Sequence, residues 1–413
     1  MGKIRRSEPA RLHRYPLFLR RRGERLRISA VMIKKIATQF FRVFSFFAVF
    51  LFLLTASTGA ALAQEHTVAS SPEVFLRAQV VEILEEGQTV ADDIPQPYQK
   101  VQLKILDGAE RGQIIAVEQG KTEKLLESLR AKKGETVVVA KVAAPEGQQY
   151  FINDKYRLPS LGAVLAIFFL AAVVFGGWRG AASLLGLIFT VLILVSYIVP
   201  SILAGQNPLF VTIVGSLAII FLSMYPAHGF NRRTSVALLA TALTLMLAVI
   251  LATAFISLSK LFGTGSEEAF YVARGVAGGI DFRGLLLAGI LIGVLGVLDD
   301  ITTGQSAAVD EIFKANPSLS FRELYRRGVS VGREHIASLV NTLVLAYAGA
   351  SLPLFILFIS DKNKPVWVTL NNETMATEII RTLVGSATLV LAVPFTTLLA
   401  AYLLRKRKKP KLV

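Results

Sequence analysis

The stretch "GAASLLGLIFTVLILVSYIVPSILAGQNPLFVTIVGSLAIIFLSMYPAHGFN", Gly180 to Asn231, runs for 52 residues without Asp, Glu, Lys or Arg. A helix crosses the hydrocarbon core of a bilayer in about 20 apolar residues. This stretch is therefore long enough to cross twice, with "PSILAGQNP" as the turn between. Similar segments flank it. Leu158–Trp178 reads as a first span and Thr234–Ser259 as a fourth. A fifth begins near Gly284, a sixth runs from about His335 to Ser360, and a seventh from about Thr382 to Leu404. The expected fold is an α-helical polytopic membrane bundle over 158–405 with seven mature spans and a basic tail at 406–413. A chain 53% hydrophobic and 18% charged fits that class.

The charge is unevenly placed. Of the net +16, residues 1–31 contribute +8 and residues 32–63 contribute +3. The remaining excess is modest, which argues against a nucleic-acid partner. From Met32 the chain reads "MIKKIATQFFRVFSFFAVFLFLLTASTGAALAQE": a basic start, an apolar run and an Ala61-Leu62-Ala63 end. That is the pattern of a secretory signal peptide cut after Ala63, with Met32 as the true start and 1–31 as an extension. A retained signal anchor is the other reading. Either one puts residue 64 onward outside the cytoplasm.

Residues 64–157 are expected to be a small extracytoplasmic all-β domain. "EVFLRAQVVEIL", "QKVQLKILDG", "GQIIAVEQG", "GETVVVAKVA" and "QQYFINDKY" read as strands. In the clearest of them Val101, Leu103 and Ile105 alternate with Gln102 and Lys104. "KTEKLLESLRAKKG" reads as a helix between the third and fourth. Five strands with one helix suggest a small OB-like barrel. No interleaved aromatic and basic face points to single-stranded DNA.

Orientation follows from the cations. With residue 64 outside, the inner segments carry Arg179, Arg232, Arg233, Lys314, Arg322, Arg326, Arg327, Arg333 and the "RKRKKPK" tail. The outer loops carry fewer, as the positive-inside rule requires. The expected location is the plasma membrane, multi-pass, with the C-terminus cytoplasmic.

The fifth span is unusual. Only 15 uncharged residues separate Arg283 from Asp299, about 22 Å of helix against a core of about 30 Å. The acids of "GVLDDITTGQSAAVDEI", Gly296–Ile312, are thus drawn toward hydrocarbon, where a carboxylate is a functional hypothesis by default. Asp299, Thr303, Ser306 and Asp310 share one helical face if Gly304 does not break the helix. Their oxygens suit protons or hard cations. Alternatively, Asp299 or Asp300 caps a new helix that starts near "ITTGQS". A second polar stretch, "RRGVSVGREHIASLVNTLVLAYAGASLP", places Glu334, Ser338 and Asn341 on one face, with Arg333 as the expected counter-charge of Asp299 or Asp300. Asn341 also suits plain interhelical bonding. "REHIA" lacks the order and spacing of H-E-x-x-H.

Together "GVLDDITTGQSAAVDEI", the "RRGVSVGREHIASLVN" segment and "KVQLKILDGAERGQ" carry a resemblance over 72–405 to the YibE/F family of bacterial multi-span membrane proteins. The resemblance implies an extracytoplasmic β domain before a seven-span bundle. It also implies motif residues at Asp299, Asp300, Thr302, Gln305, Gly332, Arg333, Asn341, Thr342 and Tyr347. It brings no substrate or reaction.

Three functions compete. The first is a permease for a small ion or solute, with Asp299, Asp300, Thr302, Thr303, Gln305, Asp310, Arg333, Glu334, Asn341 and Thr342 along its pathway. The second is a non-transporting sensor or assembly component, an oligomer or the companion of another membrane protein, whose β domain meets an extracytoplasmic partner. The third, an intramembrane enzyme, lacks a nucleophile–base pair or a metal triad; no enzyme activity and no cofactor is expected. The absence of cysteine excludes thiolate metal sites, and no P-loop of the form G-x-x-x-x-G-K-[ST] is present.

Overall fold

A computed structural model describes residues 74–405, apart from 92–93, 122–124, 126, 145–146 and 276–278. The expected signal segment 1–63 and the tail 406–413 lie outside the described residues. The chain divides into two units, one holding Glu65–Phe175 and the other Gly176 onward.

The first unit opens with a curled five-stranded antiparallel sheet, a half-barrel: β1 (Val74–Ala91), β2 (Ile94–Ile105), β3 (Ile114–Gln119), β4 (Thr136–Ala144) and β5 (Gly147–Lys155), in the order β3-β2-β1-β4-β5. Alternation sets its inner face. Leu76, Ala78 and Val80 of β1, Val101, Leu103 and Ile105 of β2, and Val137 and Val139 of β4 are all buried in one cluster. The β1–β2 hairpin extends past Leu84 to Ala91 paired with Ile94. The apolar alternation lapses there, but ladder bonds between backbones do not require it.

In "KTEKLLESLRAKKG" the expected helix does not extend over the described residues 125 and 127–134. Among the described residues this segment holds one 3₁₀ turn, Glu127–Leu129. The cause lies beside it. The buried Gln99 side chain accepts from the Ala131 amide at 2.9 Å and donates to its carbonyl at 2.9 Å. Both backbone groups that a continuing helix would use are thereby tied to the sheet.

Among the described residues ten helices follow: α1 (Leu158–Ile193), α2 (Val199–Leu203), α3 (Pro208–His228), α4 (Arg232–Leu258), α5 (Glu267–Gly275), α6 (Phe282–Ala315), α7 (Phe321–Ala350), α8 (Leu352–Ser360), α9 (Val366–Asn371) and α10 (Glu373–Arg405). A π-helical turn, Leu194–Ile198, joins α1 to α2. Among the described residues five stretches are long and apolar enough to cross a membrane: Leu158–Leu203, α3, α4, α6 and α10. The α7–α8 pair makes a sixth if its 65° bend lies within one span. The bend replaces the straight sixth span expected from His335 to Ser360. Pro353 sits in the first turn of α8, where it has no amide to continue the α7 ladder. Gly177 interrupts α1 with φ 56° and ψ −141°, outside any helix.

Register contacts fix how the second unit packs. α6 runs beside α3 in the same direction: Pro208 lies against Gly284, and Ser223 against Asp299. α4 runs the opposite way, with Thr241 at Thr302 and Ser257 bonded to Arg283. α10 runs parallel to α6, with Thr397 at Gln305. α7 runs antiparallel to α6, with Gly332 at Gln305 and Tyr347 at Gly293. A Cβ on Gly332 would come within 2.3 Å of Val393, and one on Gly328 within 2.6 Å of Thr397. Close approach of α7 to its neighbours therefore requires glycine at both positions.

Candidate functional site

α6 carries the site. Asp281 caps it, accepting from the Gly284 amide at 2.9 Å, and it runs unbroken through Gly289, Gly293, Gly296 and Gly304 to Ala315. Glycine weakens a helix in water because freed backbone groups find solvent. Among apolar helices they find none, so the helix is kept. Asp299 and Asp300 therefore sit in the middle of a 34-residue helix. The alternative in which one of them caps a helix near "ITTGQS" is overturned, and Asp299, Thr303, Ser306 and Asp310 do share a face of one continuous helix.

The neighbours give the depth of the acids. From the Arg232–Arg233 end of α4 to Thr241 is about 12 Å of helix, and Asp299 lies one further turn along α6, about 16 Å in all. From Arg405 at the end of α10, through Thr397 and Gln305, the distance is about 21 Å. Along α3 the distance is shorter, since Ser223 is five residues, about 8 Å, before His228 at the helix end; Asp299 lies inside the bundle and nearer its basic end. One carboxylate oxygen lies 3.5 Å from the Ser223 hydroxyl on α3. The other, Oδ1, is sealed from solvent and has no partner among the described residues.

Asp300 points elsewhere. It is exposed and lines a cavity of about 180 Å³ with His228, Arg233, Thr234, Thr303 and Gly304. A wider depression of about 720 Å³ shares Arg233 and adds Tyr225, Asn231, Arg232, Asp310 and Lys314. Within it Asp310 is paired with Lys314 at 2.7 Å. The Thr303 hydroxyl donates back to the Asp299 carbonyl at 2.8 Å.

Thr302 and Gln305 face the interior. Thr302 shares a 2.6 Å hydroxyl contact with Thr241. The Gln305 amide donates to the Gly328 carbonyl and to the Thr397 hydroxyl, each at 2.7 Å. Both side chains are fully buried and join α6 to α4, α7 and α10. Gln305 Oε1 and Ser306 Oγ have no protein partner.

The α7 residues are not brought to the acids. Arg333, Glu334, Asn341 and Thr342 are exposed. Arg333 makes no ion pair with Asp299 or Asp300 among the described residues, so the expected counter-charge is corrected. The cause is local: Gly332 occupies the buried face against Gln305, and the next residue turns about 100° away from it. The cation that shares a cavity with Asp300 is Arg233. Arg233 entered the sequence reading only through orientation, and Ser223, His228, Thr241 and Thr397 had no site role in it. The only available signal was a polar residue repeated inside otherwise apolar spans, as with Thr234, Thr241 and Thr244.

A family model described as YibE/F-like protein matches residues 164–406, more than half of the chain. The β sheet precedes the matched stretch. No curated protein and no solved structure matches this chain.

Proposed function

Because the chain belongs to the YibE/F-like family and its long apolar helices make it an integral membrane protein, we propose that it is a permease for a small ion or solute, with Asp299 as the control point of its pathway. The observation that carries this reading is the unpartnered Asp299 Oδ1 deep inside the bundle. A buried carboxylate oxygen with no partner is costly to keep, and such a group is suited to take up and release a proton or a hard cation. The route would enter past Arg233, Asp300 and Thr303 and reach Asp299 beside Ser223. Arg333, Glu334, Asn341 and Thr342 lie off this route.

The proposal includes seven spans. Leu158–Leu203 is 46 residues, about 69 Å as helix, more than twice the hydrocarbon core. Its break at Gly177 supports two crossings. With α3, α4, α6, the bent α7–α8 pair and α10, the count becomes seven. Seven spans put the sheet outside, the basic tail inside and the acids nearer the cytoplasmic face, in line with the positive-inside count. The strand order supports an OB-like relationship for the sheet.

The test is flux in proteoliposomes against a panel of ions, with wild-type protein beside Asp299→Asn. Wild-type flux that the substitution removes at unchanged protein level supports the reading. No flux for any ion, or full flux in the variant, rejects it. The second reading, a non-transporting component, draws on the sheet. The β3 and β5 edges border an opening lined by Leu125, Val137, Phe151 and Asn153, which suits a partner segment. Retained biological function in an Asp299→Asn strain, with loss on Phe151→Asp, would favour it.

A further inference from the structure

α7 is the least bilayer-suited of the long helices. It qualifies as a span only together with α8. One face, Leu324, Gly328, Gly332 and Leu343, is buried. The other presents Arg333, Glu334, Ser338, Asn341 and Thr342, all exposed. Thr342 donates to the Ser338 carbonyl. The side chains of Arg333, Glu334, Ser338 and Asn341 have no hydrogen bond or ion pair among the described residues. Their depth is bracketed. Ser338 and Asn341 lie between the Gly332–Gln305 and Tyr347–Gly293 contacts, and the matching interval of α6 contains Asp299. Arg333 and Glu334 stand at its edge. A carboxamide at the depth of Asp299 is not a lipid-facing group, and the charges of Arg333 and Glu334 stand about two turns nearer the basic end.

We propose that this polar face of α7 packs against the same face of a second copy of the chain, forming a two-fold homodimer. The face is complementary to itself. A two-fold axis along the bundle sets residues of equal depth opposite one another. Asn341 then meets Asn341, and each carboxamide both donates and accepts. Arg333 and Glu334 are adjacent, so each guanidinium reaches the second copy's carboxylate and both charges are paired in each protomer. The chain's own Leu158–Phe175 segment offers only Ser160 as a polar side chain and could not satisfy this face. The inference stands apart from the transport reading, since none of these residues lies on the proposed route.

The chain has no cysteine, so single thiols report cleanly. Ser338→Cys and Asn341→Cys, oxidised with copper phenanthroline in native membranes, should each give a disulfide-linked species of twice the chain mass containing only this polypeptide. Ile250→Cys, on an exposed apolar position of α4, should not. Arg333→Glu alone and Glu334→Arg alone should each lower the dimer fraction at least fivefold in nanodiscs, and the double exchange should restore it. A monomer with no linkage at 338 or 341 would overturn the proposal. So would linkage to a different polypeptide, or closure within one chain when Asn341→Cys is combined with Phe168→Cys. A double exchange no better than the single changes would overturn the charge pairing on which the two-fold rests.

Discussion

Buried polar groups are handled in opposite ways in the sheet and in the helical unit. In the sheet Gln99 is fully buried and bonds both backbone groups of Ala131, while Gln96 donates to the Gly120 carbonyl at 2.6 Å. These bonds determine where loops go. In the helical unit Ser201, Thr212, Ser216, Asp299, Gln305, Ser306, Ser386 and Thr396 each keep a buried oxygen with no protein partner. Among the described residues the sheet has one such oxygen, Gln119 Oε1. Unpaired buried oxygens cost stability, and more of them lie in the bundle than in the sheet. Partnered polar groups should therefore affect stability when changed, and unpartnered ones should affect activity.

The largest effect expected from this contrast is at Asp299. Asp299→Asn keeps the shape and the contact with Ser223 but removes a charge that has no counter-ion. Ion flux should fall more than tenfold while the thermal midpoint in detergent stays the same or rises, because removing an uncompensated buried charge relieves a cost. A lower midpoint with intact flux would place Asp299 among the structural groups and erase the contrast.

Gly332 comes next. Valine there would drive a side chain into Val393 and the Gln305 amide. Overpacking of this kind costs about 1–3 kcal/mol or more, read as a lower midpoint and reduced membrane yield. Unchanged yield would mean that α7 packs less closely than the glycines indicate. Gln99→Leu should cost about 2 kcal/mol, since it strands the Ala131 amide and carbonyl without a replacement partner. Hydrogen exchange at residues 131–136 should quicken, with no change in flux. A flux defect in that variant would tie the sheet to the pathway.

The sequence disclosed the elements better than their arrangement. Period-two alternation at Val101–Ile105 and uncharged runs such as Gly180–Asn231 are local signals, and the sheet strands and the long apolar helices stand where those signals lie. The helix read in "KTEKLLESLRAKKG" failed because Gln99, more than twenty residues away, captures Ala131. The site was legible as residue types and not as a constellation. Spacing placed Asp299, Thr303, Ser306 and Asp310 on one face. It could not show that Asp310 is taken by Lys314, that Thr302 and Gln305 join helices, or that Gly332 turns Arg333 away. Ser223 carried no sequence signal, because a lone serine in an apolar span is ordinary, and Arg233 was legible as an inner cation but not as a neighbour of Asp300.

The smallest effect belongs to a fully partnered charge at the sheet surface. Asp107 accepts from the Arg77 amide at 2.8 Å and from its guanidinium at 2.7 Å. The Arg77 side-chain bond is the main reason its carboxyl titrates below the ordinary carboxylate value. A carboxyl depressed in the folded state contributes stability above its unfolded value, and that stability is lost as pH falls through the lower folded value. The pair is partly exposed, so its contribution is screened and small. Asp107→Asn keeps an acceptor for the Arg77 amide but sets an NH2 donor where Oδ2 accepted from the guanidinium, so it removes the charge-assisted side-chain bond. Its thermal midpoint should trail wild type by a degree or two at pH 7, and the gap should close in acid as the wild-type carboxyl protonates. A gap that persists below pH 3 would mean that Asp107 acts through shape rather than charge, and that partnered surface charges of the sheet are as structural as Gln99.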